Sequence, residues 1–406
     1  MWTDRLTRKA MINRRNIPEN RLTNREISLT FSTNHSPIYV SQKMNLFNTI
    51  WRKEKMKKFV SAVLAIVMVL SLCVCLTGCG GGKEEAKADD KVYELTLSMH
   101  DPKTTANAIY LQSWIDKVAE ATNGKVKITL YDNATLSAAT DIGDNVKAGA
   151  VDIGWLYTSY YAGQFPLSDV INLPMQGFGD PVVSTNVLWD LADKYDEVEG
   201  EWGDFKLLML YGNPGMILCS SDSPITTKAD LAGRVIRCPA GGITDVLTAW
   251  GASPITMAPP DLYEAIEKNN INGYIFEPAG ICNFSLEEIT SYYTDYPLYD
   301  GPFALIMNKE KWDTLPAEYQ EAIEKLSGKE ASLGAAEAFA NDVVEKRDKI
   351  TAAGGQFVEL EADAITEMQA DADAVAQAWI ESMSKDGFDA AAYLADAKAF
   401  AANYAG

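Results

Sequence analysis

From residue 79 onward the 406-residue chain is short of the side chains on which most enzyme chemistry depends. It holds one histidine, His100, and three arginines, Arg234, Arg237 and Arg347. No HExxH, GxSxG or Walker loop is present, so the usual signatures of metalloprotease, hydrolase and nucleotide chemistry are missing. Cys219, Cys238 and Cys282 are an odd set without CxxC spacing, which argues against a disulfide framework or a zinc site and allows one disulfide at most. Positive charge is scarce too: 23 Lys and Arg stand against 52 Asp and Glu, a formal charge of −29. Such a surface repels phosphate backbones and anionic lipid heads, which argues against nucleic acid as a partner. No metal or cofactor is implied. A catalytic carboxylate pair stays open, because so many acids place some pairs together by chance.

What the chain does have begins with "KKFVSAVLAIVMVLSLCVCLTGC", residues 57–79: two lysines, an apolar run from Phe59 to Leu76, then small residues ending in cysteine. That order is a secretory signal. The run of 18 residues is also just long enough to cross a bilayer, which keeps an uncleaved anchor as the alternative. The ending "LTGC" resembles the lipobox of bacterial lipoproteins, and by that resemblance Cys79 is diacylated and becomes the new N-terminus. Residues 1–55 are rich in Arg and Asn with no apolar periodicity, a poor composition for a core, and Met56 is the expected start. Residues 56–78 are then the signal, and "GGGKEEAKADDK", 80–91, continues the tether that starts at Cys79.

The folded part begins near Val92. "VYELTLSMH" alternates as a strand; "TANAIYLQSWIDKVAEAT" places Ile109, Leu111, Trp114, Ile115 and Val118 near one helical face, and Asn123-Gly124 stops it. "KVKITLYDN", "AATDIGDNVKAGA" and "VDIGWLY" continue as strand, helix, strand, the pattern of a parallel sheet with covered faces. After the helical "PVVSTNVLWDLADKY" come strands at "FKLLMLYG" and "MILCSS". A second unit follows: strand "RVIRCP", helix "ITDVLTAWGA", strand "PITMA", helix "PDLYEAIEKNN", strand "GYIFE". Two βα units suggest two lobes, and the Ala-rich, charged stretches after Pro316 read as helices packed on them.

In open α/β sheets ligands sit beyond the carboxyl ends of the strands. Those ends are aromatic here: Trp155 and Tyr157, then Tyr160 and Tyr161; Tyr211 and Asn213; Phe276 and Glu277. In "GRVIRCPAGG", alternation sends Val235 and Arg237 to one side, and Arg237 is the last reaching group before the loop "PAGGIT". That loop, with Gly241, brings N–H groups and a helix N-terminus to the same place. An anion site at Arg237 and an ordinary surface ion pair are equal readings from spacing alone. Expected ligand contacts are Arg237, Trp155, Tyr157, Tyr211, Asn213, Gly241, Phe276, Glu277 and His100.

The stretches "FPLSDVINLP" (165–174), "DLAGRVIRCP" (230–239), "GASPITMAPPDLYEAIEKNNINGYIFEP" (251–278) and "MNKEKWDTLPAEYQEAIEK" (307–325) carry a family likeness. From about Val92 to Asn403 the chain resembles the DctP-type solute-binding proteins of TRAP (tripartite ATP-independent periplasmic) transporters. The resemblance implies an α/β, two-lobed type II periplasmic-binding-protein fold with a cleft between the lobes and a long connecting helix. It implies lobe I at 92–214 plus 300–342, and lobe II with the C-terminal helices at 215–299 plus 343–406. It also implies a non-enzymatic receptor outside the cytoplasm that closes on a small organic anion and docks on TRAP membrane subunits, with Arg237 pairing the ligand carboxylate. Two departures matter. Many members that bind sugar acids or dicarboxylates carry another arginine where this chain reads "NPGMILCSS", and the family's "VDGQENP" is here "INGYIFEP", with Asn272 for the acid and Phe276 or Glu277 for the polar contact. A more aromatic, less cationic pocket points to a monocarboxylate with an apolar or aromatic body. An enzyme of unknown reaction on the same fold and a non-transport surface lipoprotein are the alternatives.

Overall fold

The computed structural model describes residues 91–385 and 387–405. The expected N-terminal extension, signal segment, Cys79 and nearly all of the tether lie outside the described residues. Among those described, no helix is long and apolar enough to cross a membrane.

The first segment runs β1 (Tyr93–Ser98), α1 (Ala106–Ala121), β2 (Val126–Tyr131), α2 (Ile142–Lys147), β3 (Ile153–Tyr157), α3 (Pro181–Lys194), α4 (Asp196–Glu201) and β4 (Phe205–Gly212). Local chemistry sets its boundaries. Thr105 caps α1 by accepting from the Ala108 N–H at 3.3 Å, and the chain leaves the helix through Asn123 and Gly124 at φ 50 and 71°. Leu111, Trp114, Ile115 and Val118 of α1 are buried. Ile109, expected on that face, is 61 % exposed, because two residues before Leu111 is about 200° around the helix. Asp180 accepts from Val182 and Val183 N–H, both at 2.9 Å, and Pro181 opens α3.

The second segment runs β5 (Ile217–Ser220), β6 (Val235–Cys238), α5 (Gly242–Ala249), β7 (Ser253–Thr256), α6 (Leu262–Glu267), β8 (Gly273–Phe276), α7 (Pro278–Asn283) and β9 (Tyr292–Thr294). The chain then returns through β10 (Pro302–Asn308), α8 (Lys309–Asp313), α9 (Ala317–Lys325) and α10 (Gly328–Ala352). It ends with β11 (Gln356–Val358), α11 (Ala362–Met383) and α12 (Ala390–Tyr404).

Two sheets result, ordered β2-β1-β3-β10-β4 and β11-β9-β5-β8-β6-β7. The βα units give parallel pairs, β1 with β2 and β3, and β6 with β7 and β8. The sheets are nevertheless mixed. β10 runs antiparallel to β3 and β4, and β5 antiparallel to β8 and β9, because these strands follow chain crossings and enter their sheets from the other end. β9, β10 and β11 were not foreseen from sequence; β10 is buried along its whole length and shows no alternation.

Residues 213–216 and 295–301 carry the chain between the sheets and pair with each other. Met216 N donates to Tyr299 O at 2.9 Å and Leu298 N to Met216 O at 2.8 Å. Asn213 N donates to Gly301 O at 3.0 Å, while its side-chain oxygen accepts from Gly301 N. Helix α10 packs against α1, α3 and β4 on one side and α7 on the other, so it spans both lobes. The last helix, α12, lies on α3 of the first lobe, where the Tyr393 hydroxyl donates to Leu167 O at 3.1 Å and Lys194 pairs with Asp396 at 2.5 Å.

Cys219, Cys238 and Cys282 are free and buried. Of the one disulfide that the three cysteines allow, the pairing of Cys219 with Cys238 has no geometry here, because β8 separates their strands. Two inter-strand spacings are about 10 Å, beyond the roughly 7 Å that a disulfide spans between Cα atoms.

Candidate functional site

Three strand ends of the first sheet meet at the cleft. Phe303, second in β10, sits opposite both Tyr157 of β3 and Tyr211 of β4. Residues i and i+2 of a strand share a face, which adds Trp155 to the same aromatic surface. Phe303 stacks on Trp155 at 4.5 Å and 6°, and the Tyr157 ring lies 4.8 Å from it, tilted by 34°. The Trp155 indole N–H donates to the Tyr211 hydroxyl at 2.7 Å, which donates to Asn107 Oδ1 at 2.9 Å. His100, just past β1, stacks on Trp155 at 4.7 Å and meets Tyr160 edge-on at 5.6 Å. Burial pushes the His100 imidazole down to about 3, so it is neutral at physiological pH.

The second sheet supplies the charge. Arg237 of β6 is 1 % exposed. Its Nε and Nη2 both donate to Met257 O, at 2.9 and 2.8 Å, and Nη1 donates to Ile275 O at 3.2 Å. A guanidinium carries five N–H groups. The two left over lie one on each terminal nitrogen, and the Tyr160 phenol is hydrogen-bonded to this side chain as well. The Phe276 ring centroid is 5.4 Å from Cζ, within cation–π range. Among the described residues no carboxylate forms an ion pair with Arg237. From the opposite lobe Tyr160 comes near it: burial lifts that phenol to about 12, and the charge of Arg237 and a hydrogen bond with its side chain oppose the rise.

His100, Asp101, Tyr157, Tyr160, Arg237, Phe276, Glu277, Phe284, Phe303 and Phe339 line one cavity of about 30 Å³, together with Met216, Pro239, Pro259, Gly280 and Asn283. Both lobes, a crossing segment and helix α10 contribute. A benzene-sized guest needs about 150 Å³, so entry of a ring requires the lobes to part.

Five of the nine expected contacts are therefore gathered here: Arg237, Tyr157, Phe276, Glu277 and His100. Four do not line the cavity. Trp155 and Tyr211, both 0 % exposed, form the layer behind Phe303 and His100. Asn213 is engaged in tying the two crossing segments together. Gly241, at φ 124°, precedes α5 in a conformation that suits glycine, but outside the cavity. Sequence reasoning missed Asp101, Phe284, Phe303 and Phe339. Phe303 and Phe339 come from β10 and α10, elements remote in sequence from the βα units; Asp101 carries no local signal in so acidic a chain. Arg234, the other arginine of the motif, pairs with Asp222 at 2.7 Å near the surface.

The family model of bacterial extracellular solute-binding proteins, family 7 (DctP), matches residues 97–383. The chain belongs to that family: it is a two-lobed solute receptor of the TRAP transport type, a class that works outside the cytoplasm. A curated relative, the outer membrane transporter protein TsaT of Comamonas testosteroni, is 24% identical over 301 residues, 72% of this chain and 87% of TsaT. Among solved structures, a TRAP solute-binding protein of an unidentified marine microbe, specific for aromatic acid ligands and bound to 3-hydroxybenzoate, is 26% identical with a TM-score of 0.73. The alignment covers 78% of this chain and 100% of that one. A TRAP periplasmic solute-binding protein of Bordetella bronchiseptica with bound mandelate is 27% identical with a TM-score of 0.71, covering 77% and 99%.

Proposed function

We propose that this receptor captures a monocarboxylate with an aromatic or apolar body, Arg237 taking the carboxylate and the rings of Tyr157, Phe276, Phe303 and Phe339 the body. The observation that carries this reading is a guanidinium 1 % exposed, held by two backbone carbonyls and the Tyr160 phenol, with no ion-paired carboxylate among the described residues. Burying a cation without a counter-charge costs several kcal/mol, and an acid ligand offsets that cost. A second carboxylate on the ligand would meet Asp101 and Glu277 and find no second arginine, so dicarboxylates are disfavoured. The aromatic acids bound by the marine and Bordetella proteins support the same class. Capture is reversible and leaves the ligand chemically unchanged; closure of the lobes then presents the filled receptor to TRAP membrane subunits.

A thermal-shift screen tests the ligand class. Benzoate, its hydroxylated forms and mandelate are expected to raise the melting temperature, succinate and fumarate to leave it unmoved. A ligand at 100 times its dissociation constant adds about 2.7 kcal/mol of stability, a readily measured shift. Mass spectrometry of ligand recovered after denaturation should return the mass that was added. A screen answered only by dicarboxylates rejects the proposal.

The anchoring reading is part of the same proposal and rests on "LTGC" alone. Cys79 holds the lipid and residues 80–91 give the folded part its reach. Metabolic labelling with a radioactive fatty acid is expected to mark the protein in bacteria, and Cys79→Ala is expected to remove the label and release the protein from the membrane fraction. Persistence of the label in the variant rules out this cysteine.

A further inference from the structure

Two acids face the cavity from opposite lobes, and the carboxylate capture just proposed uses neither. Glu277 ends β8 and is 5 % exposed. One of its oxygens, Oε1, caps α7 by accepting from the Gly280 N–H at 3.0 Å. The other, Oε2, is buried without a hydrogen-bond partner. Asp101 follows β1 on the first lobe, and the imidazole of His100, itself neutral, lies 3.7 Å from its Oδ1, too far for a hydrogen bond. The two acids are close enough that the charge of Asp101 pushes Glu277 further up. The phenols of Tyr157 and Tyr160 sense Glu277 as well, so these groups share one site.

We infer that Asp101 and Glu277 accept a hydrogen bond from a donor on the ligand's body, so that the captured acid is one bearing a hydroxyl or amino group that the two lobes close upon. This rests on the capture of a carboxylate at Arg237. Capping accounts for one oxygen of Glu277 and leaves the second as an acceptor with nothing to accept, a condition that is costly in a buried site. Burial holds Asp101 up at about 7, and burial with the added charge of Asp101, opposed by backbone hydrogen bonds and Arg237, holds Glu277 at about 8. A donor placed between them supplies what the protein does not, and because the acceptors stand on different lobes it is satisfied fully only in the closed form. Arg237 would thus read the acid, and the carboxyl pair the substituent.

Hydroxybenzoates with the hydroxyl at each ring position, compared with the matching fluorobenzoates and with benzoate, test this by calorimetry. Fluorine has nearly the size of a hydroxyl and donates nothing. At one ring position at least, and at pH 8.5, above the titration of both carboxyls, the hydroxy acid is expected to bind about 10 to 100 times more tightly than its fluoro partner, the range for hydrogen bonds to charged groups. In Glu277→Gln the amide oxygen keeps the cap and an NH2 group takes the place of Oε2, so the hydroxy-to-fluoro ratio at that position is expected to fall at least fivefold, whatever the absolute affinities. Asp101→Asn, which leaves the cap untouched, is expected to lower the ratio as well. Equal binding of hydroxy and fluoro acids at every position, or a ratio unmoved by both variants, overturns the inference while leaving capture at Arg237 intact. Failure of every aromatic acid to bind overturns capture, and this inference with it.

Discussion

Arg237→Ala is expected to lower affinity for the carboxylate ligand by at least 100-fold, and more where the ligand body is small. Removing one partner of a buried, hydrogen-bonded charge pair costs about 2–5 kcal/mol, or roughly 30- to several-thousand-fold in dissociation constant. The upper part of that range applies because the guanidinium is 1 % exposed and is held by Met257 O and Ile275 O with no ion-paired carboxylate among the described residues. Arg237→Lys keeps the charge but loses the planar fork, and an intermediate loss is expected. Arg234→Ala removes the neighbouring arginine, whose partners are Asp222, Ser223 and the backbone carbonyls of Asp230 and Asn272, none of them lining the cavity, and is expected to shift affinity less than threefold. Circular dichroism separates lost binding from lost fold, since truncation also leaves two buried carbonyls without their donor. Binding by Arg237→Ala within threefold of wild type would overturn the central electrostatic role of this residue.

The second large effect is on stability against pH. Burial pushes Asp169 and Glu201 up to about 7, despite hydrogen bonds that oppose the rise, and holds Asp300 well above the ordinary carboxylate range. Asp101 and Glu277 in the cleft are displaced in the same direction, to about 7 and 8. The folded state keeps these protons to higher pH than the unfolded chain, which releases them near 4. Their stabilisation is therefore complete below about pH 4 and is lost as pH rises through 7 to 8. His100 acts in the opposite sense below its ordinary 6.5, because it is buried neutral, but it is one group against five. The melting temperature is expected to fall by about 5–10 °C from pH 5.5 to pH 8, a drop of a few kcal/mol at this chain size. Asp300→Asn keeps an acceptor for Ser184 and has no charge to bury, so it is expected to reduce the fall and to melt above wild type at pH 8. A melting temperature that climbs from pH 5.5 to 8 would show that these carboxyls are ionised and solvated in the native state.

The βα units were legible because each carries its own periodicity and stop signals. Helix α1 is bounded by Thr105 at one end and Asn123-Gly124 at the other, and β6 ends before Pro239, all within a few residues. Arg237 was legible for a related reason: it is the last residue but one of a short strand, and strand ends in such sheets open on the cleft. The missed strand β10 reads "PFALIMN", a short apolar run that suits a buried strand or part of a helix equally well, and only its pairing with β3 and β4 decides.

What the sequence determined by itself was the alternation of strands and helices, the scarcity of cations and the aromatic strand ends, because propensity, charge and capping act over neighbouring residues. The tertiary structure alone decided which aromatics face the cavity and which lie beneath it. Trp155 and Tyr157 stand two residues apart on one face of β3, yet Phe303, arriving from the return crossing, covers the first and leaves the second at the cavity wall. It also decided that Asp101 and Glu277, 176 positions apart in the chain, share a cleft with Arg237. The reason is that burial and the proximity of charges depend on distance through space, which two crossings and a 25-residue helix set for residues that share no local signal.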